Sequence, residues 1–341
     1  MKFKVGVVGV SGYAGLELIR IIASHPAMEF AAAMDAAEIG EKPLADIHPR
    51  LRGLSSLVTF PPVPERVKDL QLDTVFLCTP DKASYDLVPK MLSLGIRVID
   101  FSGAFRLKDV ESYSSWYGFQ HANPDLLREA VYGLPEWNAK AIAPARLIAN
   151  PGCYPTSVSL ALLPLIRAGM LEMGSHIISD SKSGVTGAGR GTKAEMMFSE
   201  VADSFRPYNP IMHRHAPEMC QEIGWDLSHF TFVPHLLPVN RGIISTIYVQ
   251  FHQPVSLAEL EAEYGRRYAD RPFVRILGGQ RLPELRAVQH TNFCDISFRL
   301  TDKGRRGVIF SAIDNLGKGA SGQAVQNFNL MHGLDERDGL L

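Results

Sequence analysis

Cysteine is scarce in this chain of 341 residues, which contains only Cys78, Cys153, Cys220 and Cys294. The four are far apart and none has C-x-x-C spacing, so the pattern implies neither a disulfide framework nor a zinc site. We expect no metal ion. Any function of a single cysteine must therefore come from its local surroundings.

Long apolar runs and an excess of one charge are also missing. No apolar run reaches the ~18 residues that a membrane-spanning helix needs, and Met1-Lys2-Phe3-Lys4 leads into a strand pattern rather than a signal peptide. The 35 Lys and Arg residues nearly balance the 36 Asp and Glu residues, which excludes the charge footprint of nucleic-acid binding. We expect a cytoplasmic protein with a small-molecule substrate, and neither nucleic acid nor membrane as partner.

Length and hydrophobic periodicity predict two domains. Up to about residue 150, short apolar runs alternate with helical patterns, which is typical of a doubly wound parallel sheet. Later strands, such as 243–251, are longer and alternate, which favours an antiparallel sheet. We predict an α/β fold with a Rossmann-like dinucleotide-binding domain at 1–150 and an α+β catalytic and dimerisation domain at 151–314. A last helix at 315–335 is expected to pack on the first domain.

A glycine-rich turn follows the first predicted strand, Phe3–Val8. The glycines have the spacing G-x-x-G-x-x-G, and residues 16–22 have the apolar face of a helix. In a strand–turn–helix unit such glycines permit a tight turn and bring backbone N–H groups close to a pyrophosphate. An ordinary glycine turn is the alternative, but the position directly after a strand favours a dinucleotide. The predicted cofactor contacts are Gly9, Ser11, Gly12, Tyr13, Ala14 and Gly15.

Cys153 stands on a sharp turn, in Asn150-Pro151-Gly152-Cys153-Tyr154-Pro155-Thr156, ahead of a helical pattern over residues 158–166. A helix N-terminus favours a thiolate, because its unsatisfied N–H groups and dipole lower the thiol pKa. The same N–H groups can hold an oxyanion. A small buried cysteine in a turn is the alternative. A thiol beside a nucleotide domain indicates thioester chemistry coupled to hydride transfer.

Two histidines flank an arginine in His213-Arg214-His215-Ala216-Pro217-Glu218. A histidine, with its ordinary pKa near ~6.5, can accept the thiol proton and later return it to an aldehyde oxygen. The alternative for either histidine alone is a solvated basic loop.

Two further segments carry anion-binding groups. Residues 183–193 combine glycines and hydroxyls with Arg190 and Lys193, a set suited to phosphate or carboxylate. Ser102 and Arg106 follow a parallel strand, at the end where such sheets bind ligands. Each segment is also compatible with a surface loop that exposes one arginine.

Taken together, these residues resemble the N-acetyl-gamma-glutamyl-phosphate reductase family over essentially the whole chain. Six collinear matches are more specific than any one of them. The matching segments are residues 9–18, 151–156, 183–190, 213–218, 234–243 and the tail that begins at Asp314.

The resemblance implies reduction of N-acetyl-gamma-glutamyl phosphate by NADPH to N-acetylglutamate 5-semialdehyde, with release of phosphate, in arginine biosynthesis. Cys153 is then the nucleophile and His215 the proton carrier. The resemblance also implies a homo-oligomer, either a dimer or a tetramer, and a cofactor contact from Asn315. The residues implied to bind substrate are Ser102, Arg106, Ser183, Arg190, His213 and Glu218.

One departure from the family pattern concerns the end of the second strand. Asp35 and Glu38 stand where many relatives have serines and an arginine that suit a 2′-phosphate, and an acid there usually binds a free ribose hydroxyl. The alternatives are a related reductase of carrier-linked aminoadipyl phosphate in lysine synthesis and aspartate-semialdehyde dehydrogenase, which lacks this set of motifs. From a different class, a cysteine hydrolase or a nucleotide-sensing regulator stays open.

Overall fold

In the computed structural model, which describes residues 2–53, 55–191 and 194–341, the chain divides into two units. The first consists of residues 1–151 and 320–341, and the second of residues 152–319. Among the described residues, no helix is both long and apolar enough to cross a membrane.

The first unit is built on a parallel sheet in which six strands fall within the described residues, in the order β2-β1-β3-β4-β6-β5. The predicted doubly wound parallel sheet is confirmed. Its strands are β1 (Phe3–Val8), β2 (Met28–Met34), β3 (Thr74–Leu77), β4 (Arg97–Asp100), β5 (Val131–Tyr132) and β6 (Leu147–Ala149).

Alternating side chains of these strands enter two hydrophobic clusters, because successive residues of a strand point to opposite faces. Val7 packs with Leu18 and Phe328 in one cluster, whereas Val8 packs with Val88 in the other. Phe328 belongs to the C-terminal helix, Gly322–Met331, which is part of this unit. The other helices are α1 (Tyr13–Ser24), α2 (Leu44–Ile47), α3 (Pro64–Lys68), α4 (Asp81–Ser93), α5 (Ser112–Trp116), α6 (Pro124–Glu129) and α7 (Pro135–Ile142).

The second unit contains a mixed sheet with the order β11-β12-β13-β10-β7-β9-β8 over the part of the chain that the structure describes. Four of its six strand pairs are antiparallel, and β11-β12 and β7-β9 are parallel. The prediction of a largely antiparallel sheet is therefore confirmed. The strands are β7 (Ile177–Gly184), β8 (Arg206–Pro207), β9 (Phe230–Leu237), β10 (Ile243–Gln250), β11 (Val274–Gly278), β12 (Cys294–Thr301) and β13 (Arg306–Ile313).

One face of this sheet is covered by a buried helix, α8. Ser157 of that helix hydrogen-bonds to Ser245 of β10 and to Ser311 of β13, each at 3.0 Å. Small hydroxyl side chains let the helix lie close to the strands while their polar atoms stay paired. The helices of the unit are α8 (Cys153–Arg167), α9 (Phe198–Val201), α10 (His215–Ile223), α11 (Leu257–Tyr268) and α12 (Leu285–Val288).

Candidate active site

Cys153 is the first residue of α8, as the apolar spacing predicted. Gly152 precedes it in extended conformation, and the N–H of Thr156 donates to the Gly152 carbonyl at 2.9 Å to close the first turn. The first turn of a helix leaves N–H groups without intrahelical acceptors and carries the positive end of the dipole. The half-buried thiol of Cys153 therefore lies where a thiolate is stabilised.

Cys153 opens on a cavity of about 620 Å³ in the second unit. Three of the other predicted site residues, Ser183, His213 and His215, line the same cavity. The remaining lining residues are Tyr154, Gly184, Gly187, Ala188, Glu195, Met196, Arg206, Pro207, Tyr208, Asn209, Arg214 and Leu236.

The two histidines lie side by side at the start of α10, with ring centroids 4.7 Å apart. The backbone N–H of His215 donates to Nδ1 of His213 at 3.1 Å, so His213 orients the residue predicted to carry protons. Burial, together with the nearby charge of Arg214, lowers the pKa of His213 to about 4. His213 is therefore neutral near pH 7 and keeps its proton on Nε2.

Glu218 is fully buried one turn further along α10. Its Oε1 accepts the N–H of Gly152 at 2.8 Å, so a carboxylate on α10 holds the turn from which Cys153 projects. The predicted contact of Glu218 with substrate stays a prediction, since the structure places its carboxylate against this backbone and outside the cavity lining.

Among the described lining residues, sequence reasoning missed six with polar or charged side chains, namely Tyr154, Glu195, Arg206, Tyr208, Asn209 and Arg214. The hydroxyl oxygens of the two tyrosines are 2.9 Å apart, and burial raises the pKa of both, which keeps them protonated. Arg214 stood inside the histidine motif, and Tyr154 stood beside Cys153. Nothing in the sequence marked Arg206 or Tyr208, because they lie on or beside a strand of two residues.

The predicted anion-binding loop is only partly in the cavity. Ser183, which is buried, donates from its hydroxyl to the Gly184 carbonyl at 3.0 Å. Arg190 is exposed and is not among the lining residues. Thr192 and Lys193 lie outside the described residues.

Asn315 is buried in the second unit and holds two neighbouring segments together. Its Oδ1 accepts the N–H of Gly242 at 2.7 Å, and its Nδ2 donates to the hydroxyl of Thr186 at 3.0 Å. The preceding residue, Asp314, forms a buried ion pair with Arg241, whose Nη2 lies 2.9 Å from Oδ2. The predicted cofactor contact of Asn315 therefore stays a prediction.

In the first unit, the predicted glycine turn connects β1 to α1. Gly9 has a φ of +85°, and a Cβ there would overlap the Cys78 carbonyl. A Cβ on Gly15 would overlap the Gly9 carbonyl. Gly12 is the N-cap residue of α1, which begins at Tyr13 and continues through Ala14. The turn thus brings bare backbone and a helix N-terminus to one place, the arrangement that binds a pyrophosphate.

Asp35 lies against this turn. Its Oδ2 accepts the backbone N–H of Ser11 at 2.7 Å, and its Oδ1 accepts that of Ala36 at 2.8 Å. Ser11 is a predicted cofactor contact. Its backbone N–H, one of the hydrogen-bond donors of the predicted dinucleotide site, is therefore already bonded to the Asp35 carboxylate.

Ser102 and Arg106, the other predicted substrate contacts, follow β4 in the first unit. The Ser102 hydroxyl donates to Asp100 at 2.8 Å. The Arg106 Nε donates to the Asn150 carbonyl at 2.8 Å and its Nη2 to the Phe101 carbonyl at 2.6 Å. Both side chains are buried, and these bonds fix them in the loop after the strand.

The sequence of each unit matches a known domain. Residues 4–145 match the NAD binding domain of semialdehyde dehydrogenases, and residues 153–315 match their dimerisation domain. Two solved aspartate semialdehyde dehydrogenases share the fold. Enzyme II from Vibrio cholerae, complexed with ASA, has a TM-score of 0.73 at 16% identity and covers 98% of this chain and 99% of its own. The enzyme from Candida albicans, with NADP, has a TM-score of 0.72 at 14% identity and covers 97% of this chain and 99% of its own chain. The fold and the matched domains define a semialdehyde dehydrogenase.

Full-length relatives narrow this class. The N-acetyl-gamma-glutamyl-phosphate reductase of Nitrosospira multiformis is 44% identical over 98% of this chain and 96% of its own length. The N-acetyl-gamma-glutamyl-phosphate reductase of Geobacter sulfurreducens is 46% identical over 99% of this chain and 97% of its own length. The chain belongs to the N-acetyl-gamma-glutamyl-phosphate reductase family, and the family predicted from the sequence is confirmed.

Proposed function

We propose that this chain reduces N-acetyl-gamma-glutamyl phosphate to N-acetylglutamate 5-semialdehyde with NADPH and releases phosphate, as a step of arginine biosynthesis. The observation that carries the proposal is the placement of Cys153 at the first residue of a buried helix, in a cavity that also contains His213 and His215. A thiol, a proton carrier and a helix N-terminus are the parts that thioester chemistry requires.

The acyl-transfer half of the reaction uses Cys153. Its thiolate attacks the acyl carbonyl carbon, the carbon–oxygen bond to phosphate breaks, and a thioester on Cys153 remains. N–H groups at the start of α8 are placed to stabilise the negative charge that develops on the carbonyl oxygen. Bound NADPH supplies the hydride that reduces this thioester.

Protons are handled by His215. It accepts the thiol proton when Cys153 ionises and gives a proton to the oxygen of the reduced adduct. When the carbon–sulfur bond breaks, the same imidazole takes the hydroxyl proton back, so the aldehyde leaves and the thiolate is regenerated. His213 stays neutral and holds the backbone of His215.

The glycine turn fits a dinucleotide. At Gly9 and Gly15 a side chain would overlap neighbouring backbone, so only glycine fits there. The N-terminus of α1 follows directly. The backbone of residues 9–15 is proposed to hold the pyrophosphate, with NADP preferred over NAD.

Association of this chain with itself is proposed to use the second unit. Its sheet is covered on one face by α8, and on the other face the paired residues Ile178 and Tyr248 are 39% and 44% exposed. Exposed large apolar side chains on a sheet are typical of an interface. Sedimentation of the wild type and of Tyr248→Asp tests this. The variant should shift toward monomer, and an unchanged mass would contradict this interface.

The reaction is tested by nicotinamide absorbance, with N-acetylglutamate 5-semialdehyde as substrate. We expect reduction of NADP that depends on added phosphate, and slower reduction of NAD. Reaction with a carrier-linked aminoadipate semialdehyde but not with N-acetylglutamate 5-semialdehyde would refute the substrate assignment.

A further inference from the structure

Two arginines stand in the cavity with no part in the chemistry at Cys153. Arg206 lies on β8 and Arg214 directly precedes α10. The described lining residues carry these two guanidinium groups and one carboxylate, that of Glu195. Two guanidinium groups against one carboxylate give the lining an excess of positive charge, which suits an anion.

Arg206 is positioned by the edge of the sheet. It pairs with Leu236 of β9, another lining residue, and its Nη2 donates to the Glu195 carbonyl at 2.6 Å. The chain stays extended beyond β8, because the N–H of Tyr208 donates to the Pro234 carbonyl at 3.0 Å. Residues two apart on a strand point to the same face, so Arg206 and Tyr208 face the cavity together, about 6–7 Å apart along the backbone.

Tyr208 links these cations to the nucleophile. Its hydroxyl contacts that of Tyr154, the residue after Cys153, at 2.9 Å. Its ring packs 5.7 Å from that of His213, and the charge of Arg214 acts on both side chains. Tyr208 therefore connects the residue next to the nucleophile with the extended segment that carries Arg206.

The substrate of the proposed function carries two anions at different distances from the reacting carbon. Phosphate is bonded to the carbon that Cys153 attacks, whereas the α-carboxylate is separated from that carbon by the rest of the acyl chain. The more remote anion matches cations that are carried by β8 and by the residue before α10, and not by the helix that carries Cys153. A planar carboxylate also fits the paired donors of a guanidinium group.

We propose that Arg206 and Arg214, with the hydroxyl of Tyr208, form the subsite that binds the α-carboxylate of the acyl substrate. The assignment rests on the proposed function. It makes these residues the determinants that select an aldehyde or acyl phosphate bearing a carboxylate at its far end.

The oxidative direction separates the two anions, because the carboxylate enters on the semialdehyde and phosphate enters as the free ion. For Arg206→Gln and for Arg214→Gln, we expect the KM for the semialdehyde to rise about 10- to 100-fold, the effect of losing a charge-assisted hydrogen bond, with the KM for phosphate and for NADP nearly unchanged. Arg266→Gln is the control, since Arg266 is exposed on α11 and paired with Glu263. It should match the wild type.

A substrate without the carboxylate excludes general damage to the site. With 4-acetamidobutanal, the wild type and both variants should have the same kcat/KM. Equal losses with both aldehydes, or a rise in the KM for phosphate alone, would overturn the assignment. The second result would identify the bound anion as phosphate.

A binding measurement decides the subsite even if the proposed reaction is not observed. N-acetylnorvaline carries the carboxylate without a reactive end, and it should slow alkylation of Cys153 by iodoacetamide in the wild type but not in the two variants. Absence of dehydrogenase activity would refute the proposed function alone. Equal protection in all three proteins would refute the subsite alone.

Discussion

Replacement of Glu218 by alanine is expected to reduce turnover by misplacing the nucleophile. The carboxylate accepts the Gly152 N–H at 2.8 Å from a fully buried position. Its loss leaves that donor without this acceptor, and a hydrogen bond to a charged group contributes about 1.5–3 kcal/mol. If this energy holds the turn of Cys153 in its reactive position, kcat falls about 10- to 100-fold. The KM for the semialdehyde should change little.

Glu218→Gln is the matched comparison, because an amide oxygen can still accept the Gly152 N–H without the charge. It should retain much more activity than the alanine variant. Both proteins are assayed by phosphate-dependent reduction of NADP, and the rate of Cys153 alkylation by iodoacetamide is measured over a range of pH. The alkylation profile should shift in Glu218→Ala, because the environment of the thiol has changed.

A contact with substrate would give a different result. If Glu218 binds substrate, both variants raise the KM, kcat is preserved and alkylation of the free enzyme is unaffected. That outcome would refute the positioning role derived from the hydrogen bond to Gly152.

Four further predictions concern the histidines, Arg190 of the predicted anion-binding loop, and the cofactor. His215→Asn should slow the chemical step about 10²- to 10⁴-fold, the usual value of general acid–base catalysis. His213→Asn should slow it less. If single-turnover assays show the larger effect for His213→Asn, the two histidines exchange roles. Burial lowers the pKa of His213 from 6.5 to about 4. The contribution of His213 to the free energy of unfolding is therefore complete above pH 6.5 and is lost as the pH falls toward 4. Denaturant titrations should therefore show the difference in unfolding free energy between wild type and His213→Asn shrinking over that range. Arg190→Ala should raise the KM for phosphate more than that for NADP, and equal effects would place Arg190 elsewhere. Specificity constants should favour NADP over NAD, whereas a clear preference for NAD would indicate that Asp35 binds the ribose.

The sequence predicted those parts of the fold that depend on local pattern. β1 has the predicted bounds, Phe3–Val8, and α8 begins at Cys153 because apolar spacing of three and four continues from that turn. The parallel pairing of β7 with β9 could not be predicted, since alternation shows which face is buried but not which strand is adjacent.

The tail shows how tertiary packing changes a local pattern. The predicted last helix is a π-helical turn over Gly317–Ser321 before the α-helix begins at Gly322. Gly319 lies so close to Cys153 that a Cβ on it would be 2.9 Å from the cysteine Cβ. Helix propensity alone contains no information on that contact.

Part of the cavity could be predicted, because Cys153, Ser183 and the two histidines belong to motifs of recognisable chemistry. Arg206 and Tyr208 could not, since a strand of two residues has no measurable period and its place in the cavity depends on pairing with β9. A site residue without a motif is found only when the chain is folded.

The most direct test of the central claim is the phosphate-dependent oxidation of N-acetylglutamate 5-semialdehyde by Cys153→Ala, with NADP binding measured on the same protein. We expect no turnover and nearly unchanged NADP binding, because the thiol that forms the thioester is gone while the glycine turn is intact. Cys153→Ser should be almost as inactive, since a serine hydroxyl is hardly ionised near neutral pH. Substantial turnover by Cys153→Ala would contradict the covalent mechanism.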